Sequence, residues 1–352
     1  MRFASLGGYF LFAINVMAQN GDKKEMEFGL ELTSELQATN KGNYNNVNLL
    51  RLDASLPVSR NISIEAASIT ACMTASECIG GDLQIFSNLD AGNIPFALRV
   101  CGIGWQADKN NSLFVGIRNM NEDYFTSPVT SFFTNSSCGI YPTISANYPI
   151  ANYPVASVGV HYRYENGNEN EDEDGNENGS FAVQASLYNG IGYYRFTGRD
   201  NVFRVCPKDD GVFGIVEVSY TYGGSFYSFG SALYWNEWMS PSAKFKINST
   251  PWLYAEQRIC NNFTLIAGYS HAFTDVPLCK DFMGLGAHYQ LRKCQLGVFT
   301  DYADFGEIDE FATELTCKLP LSAKVHIQPT VHIISTDSKL HSVAMLRMAL
   351  SI

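Results

Sequence analysis

Through most of this chain apolar and polar residues alternate one for one, in segments of about ten residues. In FGLELTSEL, Phe28, Leu30, Leu32 and Leu36 fall on one side of an extended chain, and Glu27, Glu31, Thr33 and Glu35 on the other. LLRLDASL sets Leu50, Leu52, Ala54 and Leu56 against Arg51, Asp53 and Ser55. SVGVHYRYE sets Val158, Val160, Tyr162 and Tyr164 against His161, Arg163 and Glu165. KVHIQPTVHII and the final VAMLRMALSI repeat the pattern, with Val325, Ile327, Pro329 and Val331 apolar in the first, and Ala344, Leu346, Met348 and Leu350 opposite Arg347 in the second. A period of two belongs to a strand with two unlike faces. Past the N-terminus no run approaches the ~20 apolar residues of a membrane helix.

Two architectures use such strands. A soluble sandwich buries the apolar face, whereas a membrane barrel turns it to lipid and lines a wet interior with the polar one. Full charges on the polar face favour the barrel, because a dry interior tolerates them only in pairs. Short turns (Pro57–Asn61, Lys109–Asn111, Asn261-Asn262, Arg292-Lys293) also alternate with longer connections, as in outer-membrane barrels. The expected fold is therefore all-β, a transmembrane antiparallel β-barrel of about sixteen strands with both chain ends on the periplasmic side. Pro329 is the local misfit and predicts a bulge or a weakly paired position. Tyr162, Tyr164, Tyr220, Tyr222, Trp235, Trp238 and Trp252 stand near strand ends and suggest interfacial girdles.

Charge narrows the function. The net charge of −11 argues against nucleic acid as a partner, since phosphate contacts need clustered Lys and Arg. Seven of the 35 acids lie in residues 165–180, ENGNENEDEDGNENGS; the other 28 face 24 bases. Asn170, Asp172, Asp174 and Gly175 imitate the start of a calcium loop, but Phe181 stands where its final Glu belongs, so no metal site is assigned. The run reads as a soluble, disordered insertion in a periplasmic turn between strands six and seven. Residues 1–18 read as a secretory signal peptide with Val16-Met17-Ala18 at the cleavage site, and residues 19–352 as a single barrel domain. Nine cysteines leave at least one unpaired. Cys72 and Cys78 are spaced to close a small disulfide or to stand as free thiols, while Cys101 and Cys317 read as strand fillers.

One region does not alternate: Asn121 to Pro154, NEDYFTSPVTSFFTNSSCGIYPTISANYPIANYP. Loops of this length are often functional. The region resembles the signature of the carbohydrate-selective (OprB-type) porins of Gram-negative outer membranes. The likeness rests on Asn121 to Phe125, on Phe133-Thr134-Asn135-Ser136-Ser137-Cys138-Gly139, and on Tyr153-Pro154 ahead of Val158-Gly159. Gly81-Asp82-Leu83-Gln84 through Ser87-Asn88, Leu187-Tyr188-Asn189-Gly190, Tyr254-Ala255-Glu256-Gln257 and Ile327-Gln328-Pro329 agree in order, so the likeness spans residues 27–352. Cys138 in place of an aromatic residue, the acidic insertion and the final Ile352 depart from the pattern.

The resemblance implies an infolded extracellular loop and passive passage of small sugars. Lipid and lipopolysaccharide would surround the barrel, and a barrel-assembly machinery would insert it; association of barrels is left open. No cofactor and no enzymatic activity are expected. The lumen and constriction candidates are Arg99, Arg118, Glu65, Arg163, Glu256, Arg258 and Glu314, whose mixed sign favours a neutral polar solute. Trp105 and Phe133 are candidate sugar-stacking surfaces, and Asn135 is a lumen candidate that also suits pinning the loop through local hydrogen bonds. Each charge has a plainer reading as one half of a wall-bracing pair. An outer-membrane enzyme of lipase or protease type, and a structural or adhesive barrel, are the competing classes.

Overall fold

The computed structural model describes residues 26–166, 179–236, 247–336 and 339–352. Among them lie strands β1 (Glu27–Thr39), β2 (Tyr44–Pro57), β3 (Ile62–Met73), β4 (Ile94–Gln106), β5 (Asn111–Arg118), β6 (Ser157–Asn166), β7 (Ser180–Asn189) and β8 (Val212–Tyr222). The second half supplies β9 (Ser225–Trp235), β10 (Ile247–Cys260), β11 (Phe263–His271), β12 (Asp281–Leu291), β13 (Cys294–Asp304), β14 (Asp309–Pro320), β15 (Val325–Thr336) and β16 (Lys339–Ser351). Each pairs antiparallel with its sequence neighbours, and β16 returns to β1 to close the barrel. The seam runs in unbroken register from Glu31↔Ser351 to Thr39↔Val343. Closure leaves no strand edge unpaired, the condition for crossing lipid with strands.

Alternation sorts the side chains as expected. On β1, Thr33, Glu35 and Gln37 are buried inward, whereas Phe28 and Leu36 are exposed outward. On β16, Arg347 and Met345 point in while Leu346 and Met348 stand outside. The outer face is thus apolar and the inner face carries the charges, the inverse of a sandwich, with an aromatic patch of Phe213, Trp252, Phe282 and Phe299 on the inner wall that packs with L3. Pro329 sits on the outer face, and the β14–β15 ladder skips the positions opposite Pro329 and Gln328 while keeping one register from Thr316↔Thr330 to Leu319↔Ile327, so the weakly paired position is real.

Two expectations need correction. Trp105 points outward and stays 47 % exposed on the apolar belt. Its neighbour Gly104 faces the lumen, where an added Cβ would meet Glu65 Oε1 at 2.3 Å. A stacking surface inside the channel is therefore excluded for Trp105. Trp252 is 1 % exposed and lies inside the wall, so it leaves the girdle, while Tyr162, Tyr220, Tyr222 and Trp235 remain on the outer face and Trp238 lies outside the described residues. Cys72 and Cys78 are both free thiols, as are the other seven cysteines.

Both ends of the described chain share one rim with the turns at 58–61, 107–110, 223–224, 261–262, 292–293 and 321–324. We call this the turn end. The acidic run leaves β6 at Asn166 and re-enters β7 at Ser180 on the same end; its residues 167–178 lie outside the described residues, as does the expected signal peptide. The opposite, loop end carries L2 (residues 74–93), L3 (119–156) and L4 (190–211). Connections 40–43 and 305–308 at that end are short, so the alternation of short and long connections is incomplete.

Candidate functional site

L3 turns into the lumen instead of projecting from the rim. As β5 ends, the side chain of Asn119 accepts the amide of Asn121 (2.9 Å) and starts a short helical turn at Met120–Glu122. Phe125 then adopts a positive φ of 60°, strained for a bulky residue, and its ring packs 4.9 Å from Trp252 and 5.3 Å from Tyr141. That kink sends the chain across to the far wall.

Wall carboxylates receive it there. Glu256 accepts the amide of Val129 (3.0 Å), the hydroxyl of Tyr254 (2.7 Å) and the hydroxyl of Ser127. Glu314 accepts the amides of Thr134 (2.9 Å) and Asn135 (2.8 Å) together with the Thr134 hydroxyl (2.9 Å). The Asn135 amide donates to Asp301 (2.6 Å), and its carbonyl caps Ser137 N–H (2.8 Å). Glycines in the wall give the loop room. A Cβ on Gly297 would sit 2.3 Å from the ring of Phe132, and one on Gly268 would sit 2.5 Å from the Tyr141 hydroxyl.

Glu256, Glu314 and Asn135 are thus loop anchors, 1 % exposed or less, and not groups that a solute meets. Phe133 is corrected likewise: it is 1 % exposed, packed on Phe132 and Phe299, and offers no face to the channel. Arg258 lies at the turn end, donating to Asn261 Oδ1 (2.9 Å) and to the Gly223 carbonyl (3.4 Å). Arg163 is held by Glu165 (3.0 Å) and Gln184 (3.2 Å), nearer the turn end than His161.

The remaining candidates converge where L3 leaves the β2–β6 wall. Glu122 bridges two guanidinium groups, Arg99 at 2.7 Å and Arg51 at 2.9 Å, and Arg51 also holds Asp53 at 2.7 Å. Asp123 takes both donors of Arg118 at 2.6 Å, with His161 Nε2 at 3.5 Å and Glu65 behind Arg118 at 3.6 Å. These charged side chains keep some contact with solvent: Arg51 is 23 % exposed and Glu65 15 %. Burial works against the charged form of Glu122, but Arg99 and Arg51 outweigh it and hold the carboxyl down at about 2. Asp123 is also lowered: burial raises it, and Arg118 followed by His161 overcomes that.

Arg99, Arg118 and Glu65 are brought together as the sequence suggested. Arg51, Asp53, Glu122 and Asp123 complete the cluster and were not singled out. The signal was available: Arg51 and Asp53 occupy the polar face of β2, and Glu122-Asp123 open the non-alternating segment.

L2 also folds inward, a role its sequence does not announce. Glu310 accepts the amides of Leu83 (2.7 Å) and Gln84 (3.0 Å), Gln84 reaches Asp301 (2.9 Å), Ser87 donates to Glu35 (2.8 Å), and Arg347 binds Asn88 (2.6 Å). L2 and L3 join through Asn88 N–H to the Thr134 carbonyl (2.8 Å).

L2 brings two acids of its own against this acidic wall. Burial, then Glu310, raises Asp82 to about 6. Burial also raises Asp90 to about 6; Glu35 adds to the rise, and Gln37 and Arg347 oppose it. A carboxyl whose docked value is raised favours the docked loop when protonated. The hold on L2 is therefore strongest near pH 4, weakens as pH rises to about 6, and is level above. Hydrogen exchange of residues 79–92, corrected for intrinsic rates, should speed up between pH 4 and pH 7. Asp82→Asn combined with Asp90→Asn should flatten that response; the same pH dependence in the double variant would clear both acids of the effect.

A closed sixteen-strand barrel whose interior is crossed by an inward loop, with a charge cluster between loop and wall, has the porin fold. No protein-family model matches this sequence, and no curated protein matches it. Solved structures do. The high-pH structure of Pseudomonas putida OprB is similar with a TM-score of 0.73 at 14 % identity, over 93 % of this chain and 94 % of that one. A loop-deletion form of OmpT, an outer membrane protein of Vibrio cholerae, gives 0.62 at 14 % over 94 % and 100 %. The anion-selective porin from Comamonas acidovorans gives 0.60 at 10 % over 94 % and 100 %. The fold is therefore that of OprB-type and other porins, carried by a sequence only 10–14 % identical to these three.

Proposed function

We propose that this protein is an outer-membrane porin that lets small neutral polar solutes, sugars foremost, diffuse through its lumen past the cluster of Arg51, Arg99, Arg118, Glu122 and Asp123. The observation that carries this reading is the docking of Glu122 and Asp123 from L3 onto three wall arginines, which brings paired charges of both signs to one level of the lumen. A sugar entering such a level exchanges water for guanidinium donors and carboxylate acceptors, and the mixed sign gives little advantage to an ion of either charge. The turn end faces the periplasm and L2 to L4 face outward. Lipid covers the apolar belt, and insertion is the task of a barrel-assembly machinery.

A hydrolase reading meets one arrangement of the right composition. Ser186 Oγ lies 2.8 Å from His161 Nδ1, and His161 Nε2 lies 3.5 Å from Asp123. Arg118 already holds both oxygens of Asp123, the Tyr124 hydroxyl occupies Ser186 Oγ at 2.9 Å, and each of the three residues is at most 8 % exposed. A substrate carbonyl has no approach to that hydroxyl, so the trio braces L3 against the wall. Liposomes carrying the folded protein should swell in monosaccharide solutions and progressively less in longer oligosaccharides. Absence of swelling in every sugar would overturn the reading.

A further inference from the structure

Between L3 and L4, on the loop-end side of the charge cluster, lies a cleft of about 280 Å³ that no part of the barrel fills. Its walls include Ser145, Tyr148, Ile150, Asn152, Tyr153 and Gly192. We infer that this cleft is a binding subsite for one neutral sugar ring, occupied before the ring reaches the arginines; the inference rests on the proposed passage of sugars.

Chemistry selects the ligand class. The lining holds two tyrosines, aliphatic side chains, one amide and one hydroxyl, and no charged group, so an ion finds no counter-charge there. A pyranose has the matching character: an apolar C–H face for a ring or aliphatic wall, and hydroxyls around its edge for an amide. The volume lies just below the ~300–1,000 Å³ of drug-sized pockets and suits a single ring, not a chain of them.

The walls are held in place before any ligand arrives. Gly192 N–H donates to the Pro149 carbonyl (2.9 Å), and Tyr193 pairs with Ala156 as an isolated bridge. Tyr148 shares a hydroxyl contact with Thr250 (3.0 Å) and stacks on Tyr234 at 5.2 Å. Tyr153 is tied at its amide to Asn121 (2.9 Å) and at its hydroxyl to the Leu89 carbonyl (3.0 Å). A preformed site loses little ordering entropy on binding. The Asn152 side-chain amide, by contrast, makes no hydrogen bond within the described residues and is partly exposed at the cleft. Position supports the order of events. Tyr153 lines the cleft, and its ring lies 5.5 Å from the Arg99 guanidinium, so one side chain borders both the cleft and the cluster.

The test uses the full folded barrel with glucose as the probe, read both as flux into liposomes and as glucose-induced block of ion current when added from the loop end. Glucose flux should saturate. Asn152→Ala should raise the half-saturating concentration about fivefold, the loss of one hydrogen bond. Ser145→Trp, which fills the cleft, should abolish saturation, with ion conductance reporting in parallel that the barrel is folded. Flux that rises linearly with glucose, or half-saturation that neither variant moves, overturns the subsite and leaves the passage of sugars standing. No glucose flux together with an Asn152-dependent block of ion current upholds the subsite and overturns passage. Neither flux nor block overturns both.

Discussion

Glu122→Gln should shift the ion preference of the channel toward anions, seen as a change of reversal potential across a KCl gradient. The carboxylate lies between Arg99 at 2.7 Å and Arg51 at 2.9 Å, so removing its charge leaves two guanidinium groups under-compensated beside the pore. At such distances, partly shielded from water, a unit charge acts far more strongly than it does in bulk solvent. Arg99→Ala should move the reversal potential the other way and change the ratio of sugar fluxes. Unchanged potentials in both variants would take the cluster off the conduction path. Acid offers a control with a definite sign. A depressed carboxyl stabilises the docked state fully above its ordinary value of 4.5 and loses that contribution as pH falls through about 2. Glu122 should accordingly stay charged from pH 7 to pH 4, and with Asp82→Asn and Asp90→Asn removing the L2 titrations the preference should hold steady over that range.

Glu314→Ala should release the middle of L3, raising conductance and admitting larger sugars in the swelling assay. The substitution leaves the buried amides of Thr134 and Asn135 and the Thr134 hydroxyl without their acceptor. Each orphaned donor costs about 1–3 kcal/mol, enough in sum to favour an undocked loop. The strand ladder is untouched, so the barrel should keep its resistance to unfolding by detergent. Glu314→Gln, which retains one acceptor and loses the charge, should fall between the two. Conductance and size limit that match the wild type in Glu314→Ala would show that other contacts suffice to hold L3.

The strands were legible because a two-faced wall writes a period of two into the chain, and every segment singled out for alternation forms a strand. The inward loop was legible because it breaks that period. What escaped was which inward charge meets which loop. Glu256 and Glu314 alternate just as Glu65 does, yet two of them anchor L3 and one flanks Arg118; the difference lies in contacts between residues more than 50 positions apart. Trp105 misled because an aromatic residue at a strand end suits either face, and only the register of β4 decides. L2 escaped because its glycine- and asparagine-containing stretch looks like any surface connection. Its inward path depends on carboxylates from β1, β13 and β14.

The anchoring contacts also impose a schedule on assembly. L2 reaches for Glu310 and Arg347, and L3 for Asp301 and Glu314, all contributed by the last quarter of the chain. The seam itself joins Glu35 to Arg347 at 2.6 Å across 312 positions of sequence. Contacts of such long range are slow to form, since the intervening chain must be ordered before they return any stabilisation. While β13 to β16 are unformed, L2 and the middle of L3 lack these partners, and L3 has only its holds on the β2–β5 arginines and on Glu256. The charge cluster can thus assemble early, from residues 51–123, whereas the fixing of L2 and of the middle of L3 over the lumen waits for the final strands.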